Sequence, residues 1–246
     1  MATPLEDYAL LGDRRTAALV SRDGSVDWWC VPRFDQSACF AALLGKPENG
    51  RFAISPVHKP TQTTRRYRAG TMVLVTEHQT STGRVRVTDC LALESERPTL
   101  VRLVEGLEGR VEMLVELIVR FDYGSIVPWV RRTGDEWRAI AGPDGLELRT
   151  PIHVRGRDHT TCEEFTVNAG DRVPFVLGWF PSHDPQPIEK DGAALLDRTV
   201  TEWKQWAARC TYHGAWNDQV LRSLLTLEAL TYAPTGGIVA APTRPS

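Results

Sequence analysis

The five cysteines of this 246-residue chain, Cys30, Cys39, Cys90, Cys162 and Cys210, are odd in number and scattered, and no two form a CxxC pair. That pattern excludes a zinc ribbon or a thioredoxin-like centre and predicts buried free thiols in a reducing compartment. Lysine is scarce: only Lys46, Lys59, Lys190 and Lys204 among 29 basic residues, the rest being arginines interspersed with acids. With a net charge of −2 there is no general electrostatic drive toward nucleic acid or an anionic membrane. No run approaches the roughly 18 consecutive apolar residues of a membrane helix. The opening MATPLEDYALLGDRR lacks the basic-then-apolar order of a signal peptide, so the cytoplasm is the expected compartment. Also missing are HExxH, GxSxG, GxxxxGK[ST] and a GxGxxG that opens a helix. The histidines (His58, His78, His153, His159, His183, His213) form no HxH pair, so neither a metal nor a cofactor is expected.

What the chain does have is β pattern. Asp23-Gly24 is a hairpin-turn dipeptide, and Ser25 to Val31 reads as a buried strand that Pro32 ends. Ser37 is an N-cap candidate for a short helix over Ala38 to Leu44, with Gly45 as its stop. Thr16 to Val20, Arg51 to Ser55, Thr63 to Arg68, Met72 to Gln79 and Arg84 to Leu93 are further strands. Leu100 to Leu107 and Val111 to Phe121 read as two more, parted at Glu108-Gly109. Val127 to Arg132, Glu136 to Ile140 and Leu146 to Arg149 follow, with turns at 133–135 and 142–145; Cys162 to Val167 and Val173 to Phe180 close the series. About a dozen strands at this spacing, mostly joined by tight turns, predict a mainly β protein built as a large antiparallel β-sandwich.

Three prolines, Pro181, Pro185 and Pro187, mark the edge of that domain. Beyond them the apolar period becomes helical: Ala193, Leu196, Val200, Trp203 and Ala207 share one face of a helix ending near Cys210. A second helix over 216–232, with Val220, Leu221, Leu224, Leu225, Leu227 and Leu230, is apolar over more than one stripe and expects neighbours on several sides. The chain then closes on an apolar, glycine-containing run, Ala233 to Pro242, and four more residues. The expectation is a front portion of something longer.

Few residues point to chemistry. Between the Ser25–Val31 strand and the short helix, Arg33, Phe34 and Asp35 put a cation, an aromatic and a carboxylate on one turn. They suit either a sugar or an ion pair that pins a loop. Trp28 and Trp29 are candidate stacking platforms beside them, although most of the eight tryptophans suit core packing better. Cys39 reads as a structural thiol. Asp27 with Asp35, or Glu163 with Glu164, are the nearest approaches to a carboxylate pair, and strand-exposed charge or loop anchoring accounts for them more simply. No catalytic residue is assigned.

Several stretches together resemble one family. EDYALLGDRRTAALVSRDGSVDWWCVPRFDQSACFAALLG resembles the opening of bacterial and archaeal glycoside hydrolase family 15 proteins of the trehalase and glucoamylase type. RVRVTDCLAL, LVRLVEGLEGRVEM and VRFDYG resemble its later sandwich segments, and LLTLEALTYAPTGGIVAAPT its first barrel helix and the loop after it. The resemblance implies an N-terminal β-sandwich over 1–180, a linker and linker helix over 181–213, and the start of a truncated (α/α)6 barrel over 214–246. It also implies inverting hydrolysis of trehalose or α-1,4-glucans by two glutamates as general acid and general base. Both would lie beyond this chain, which is therefore expected to be inactive alone and to support the barrel. Trp28, Trp29, Arg33 and Asp35 are its substrate-rim candidates, and helix 216–232 is a candidate surface for self-association. A stand-alone carbohydrate-binding or protein-interaction module is the alternative.

Overall fold

The computed structural model describes residues 3–93, 95–133, 136–184, 188–189 and 191–242. Its first layer opens with β1 (Ala9–Gly12), β2 (Ala17–Val20) and β3 (Ser25–Cys30), then β4 (Ala38–Phe40) and β5 (Arg51–Pro56). The second layer takes β6 (Gln62–Tyr67), β7 (Leu74–Gln79) and β8 (Gly83–Leu91). After the long β9 (Thr99–Ile118) come β10 (Trp129–Thr133), β11 (Glu136–Ala141), β12 (Asp144–Arg149), β13 (Arg155–Arg157), β14 (Thr160–Asn168) and β15 (Arg172–Pro181). Helices α1 (Gly192–Ala207) and α2 (Asn217–Ala229) follow, and then a two-strand hairpin of β16 (Thr231–Tyr232) and β17 (Gly237–Ile238).

β9 joins the two layers. Its first half pairs antiparallel with β8 and β15, and its second half with β5 and β14. The expected break at Glu108-Gly109 is therefore absent, and the two shorter strands are one. Gly109 sits at φ +61, and a Cβ there would lie 2.2 Å from the Thr82 carbonyl, so glycine lets the strand pass from one sheet to the other without ending.

The core follows from alternation along β9. Leu100 and Val104 point inward with Val26, Trp29, Phe52 and Phe175, whereas Val101 and Leu103 face outward with Met72, Cys90 and Val176. Across the sandwich, the rings of Phe52 and Phe165 lie 6.3 and 5.5 Å from that of Phe175. α1 covers the outer face of the second layer with Leu195, Leu196 and Trp203, each buried. Asp191 caps that helix by accepting a hydrogen bond from the Ala194 amide at 2.9 Å.

Four sequence expectations need correction or fall outside the description. Residues 38–40 are a strand paired with β3, and only Ala42–Leu44 turns as a 3₁₀ helix, because Cys39 and Phe40 are wholly buried against the sheet. The buried stripe of α1 is centred on Leu195, Leu196, Thr199 and Trp203, with Val200 and Ala207 at its margin. α2 buries Leu225 and Ala229, while Trp216 before it and Leu227 within it are 65% and 49% exposed. Part of the 133–135 turn, Pro185, Pro187 and residues 243–246 lie outside the described residues. Among the described residues no helix is long and apolar enough to cross a membrane.

Candidate functional site

The turn between β1 and β2 organises a corner where distant parts of the chain meet. Asp13 is buried there and accepts hydrogen bonds from the backbone amides of Arg15 at 2.9 Å and Thr16 at 2.5 Å. Its removal from water outweighs those bonds and pushes its carboxyl up to about 6. The geometry lets Arg14 adopt a left-handed φ of 67 and reach Glu228 of α2 at 2.8 Å. The same turn offers its Arg14 carbonyl to the Ala233 amide at 2.8 Å and its Arg15 carbonyl to the Phe34 amide at 3.0 Å. One four-residue turn thus holds the 32–37 loop on one side and the segment after α2 on the other.

In that loop Arg33 and Asp35 form a two-point ion pair, Nε to Oδ1 at 2.9 Å and the terminal nitrogen to Oδ2 at 2.5 Å. Their side chains are 48% and 62% exposed, so the pair forms on the surface and not in the interior. Asp35 holds the Arg33 guanidinium above its ordinary range through hydrogen bonding and charge. Arg33 also lies over the Tyr232 ring, 5.5 Å from its centre, and Phe34 meets the same ring edge-on at 6.4 Å. A cleft of about 540 Å³ opens beside the turn, bounded by Asp13, Arg15, Glu202, Trp206, Arg209 and Ala233.

The two tryptophans go inward. Trp29 is fully buried, with its indole N–H on Thr16 Oγ1 at 3.2 Å and its ring 6.1 Å from Phe40. Trp28 is 1% exposed, packs near Tyr123 and donates to the Pro242 carbonyl at 2.7 Å. Neither leaves a ring face for a sugar; both are packing residues. Of the four rim candidates, the geometry leaves Arg33 and Asp35 accessible. What sequence reasoning missed is Tyr232, whose contact with Arg33 spans some 200 positions and has no local signal.

Asp27 is buried and accepts from Tyr8 and Ser25, at 2.7 and 2.5 Å. Cys30 and Cys39 are buried, and that burial raises the Cys39 thiol far above its usual range and pushes that of Cys30 up to about 12. Among the described residues no three His, Cys, Asp or Glu side chains are grouped to hold a metal.

The family model described as trehalase-like, N-terminal, matches residues 1–171. The chain belongs to that family. The trehalase of Mycolicibacterium smegmatis is 31% identical across 98% of this chain, which spans 40% of that protein. The trehalase of Thermoplasma volcanium is 27% identical across 97%, again matching only 39% of its own length. This trehalase-like chain therefore spans about 40% of the curated relatives that it matches. A bacterial glucoamylase crystallised with acarbose superposes with a TM-score of 0.68 at 12% identity, covering all of this chain and 43% of that one. That likeness is one of fold.

Proposed function

We propose that this chain is the non-catalytic N-terminal portion of a family 15 glycoside hydrolase, with the sandwich over 1–180 seating an (α/α)6 barrel whose first helix lies within 214–246. The observation that carries the reading is α2. It is tied to the sandwich by Arg14–Glu228 and by Arg222, which donates to the Thr71 carbonyl at 2.9 Å and lies 4.1 Å from the Tyr67 ring centre. Yet Trp216, Leu227 and Ile238 around it stay 65%, 49% and 61% exposed. Covering each such side chain contributes on the order of 1.5–3 kcal/mol, which the remaining barrel helices would supply.

On this reading the substrate is an α-glucoside, trehalose or an α-1,4-glucan, cleaved with inversion by two glutamates of the barrel, with Arg33 and Asp35 at its rim. The free thiols suit a cytoplasmic setting. Without the barrel, the exposed face of α2 draws two copies of the chain together. Hydrogen exchange of this chain, alone and joined to the barrel portion of the longer protein, tests the proposal. Slower exchange over 216–240 in the joined form supports it, and unchanged exchange there contradicts it.

A further inference from the structure

Strand β10 ends its sheet, among the described residues pairing only with β11, and all five of its residues are exposed. Trp129 is the most exposed large apolar side chain among the described residues, at 85%. It stands at a cleft of about 700 Å³ whose floor includes the buried Trp137 and Val154. That volume is in the range of small-molecule sites, roughly 300–1,000 Å³. Arg120 lines the same cleft, half-buried. One terminal nitrogen donates to the carbonyls of Val119 at 2.7 Å and His159 at 3.3 Å. Among the described residues it has no carboxylate partner, and burial alone draws its guanidinium below the usual arginine range. A half-desolvated cation bonded to no carboxylate among the described residues, beside an open indole face, asks for an anion attached to a ring. The tip of the β13–β14 turn adds Asp158 and His159, both at left-handed φ, with Thr160 beyond them. These hydroxyl-bonding groups suit a polyhydroxylated ring and would go unused by an aromatic anion.

We infer that this cleft binds a sugar carrying an anionic group, its ring stacked on Trp129 and its charge held by Arg120. The site is independent of the Arg33–Asp35 corner and of the proposed hydrolase activity. Calorimetric titration of the 246-residue chain with glucose 6-phosphate, glucuronate, glucose and inorganic phosphate tests it. The two anionic sugars are expected to bind at least about tenfold more tightly than either glucose or phosphate alone. Trp129→Ala, a surface change that leaves the core intact, is expected to weaken both about tenfold. Arg120→Gln removes the preference for the anionic sugars and Arg120→Lys keeps it, with thermal melts confirming that each variant folds. Equal binding of glucose, equal binding of bare phosphate, or indifference to Trp129→Ala would overturn the inference. So would a dimer of the chain that Trp129→Ala abolishes, since a second copy would then be the occupant of the cleft.

Discussion

Arg102 lies wholly inside the sandwich with its Nε 2.8 Å from Asp89 Oδ1, and neither side chain meets solvent. The guanidinium also donates to the carbonyls of Phe52 and Gly24 at 2.5 and 2.7 Å, and sits 5.0 Å from the Phe52 ring centre. One cation on β9 therefore ties its neighbour β8 to β5 and to the turn before β3 in the opposite layer. Removing Asp89 alone leaves a buried charge unpaired, so Asp89→Ala is expected to cost about 3–5 kcal/mol. The loss should appear as a lower urea midpoint with an unchanged slope. The apolar double replacement Arg102→Met with Asp89→Leu is expected to recover much of it.

Asp13 makes the β1–β2 turn sensitive to pH. Its carboxyl moves from 3.8 unfolded to about 6 folded, so folding takes up a proton between those values. The stability this contributes is complete below about pH 4 and is lost as pH rises through 6. Asp13→Asn keeps acceptors for the Arg15 and Thr16 amides but cannot ionise. Relative to Asp13→Asn, the unsubstituted chain is expected to lose up to about 3 kcal/mol between pH 4 and 7, read from unfolding curves at each pH.

Close approach at Gly12 seats α2. A Cβ there would lie 2.7 Å from the Ala229 Cβ and 3.0 Å from its carbonyl oxygen. Gly12→Ala is expected to push the end of α2 off β1 at a cost of about 1–3 kcal/mol. Limited proteolysis should then cut between α1 and α2 faster, while the sandwich core keeps its protection.

The sandwich was legible because alternation and turn dipeptides act locally: Asp23-Gly24 followed by Ser25 to Val31 is a hairpin whatever lies far away. Local signals misled where a neighbour decided. Ser37 before an apolar run looks like a helix start, but β3 offered a free edge and Ala38–Phe40 took it. Glu108-Gly109 looks like a turn, but the pairing with Gly83 carries the strand through. At the candidate site, Arg33 and Asp35 could be named from sequence because they are two positions apart. Tyr232 and the Asp13 turn that brings it there could not. Trp28, Trp29 and Trp129 are alike as letters; only the pleat and the edge position of β10 separate two core rings from one open to water.

On the proposed function both catalytic glutamates lie outside this chain, and glucose release from trehalose and maltose by the purified 246-residue chain is the decisive assay. No release above a blank is expected anywhere between about pH 4 and 8. Release above the blank that follows the protein through purification would contradict it, and would put a catalytic carboxylate within these residues.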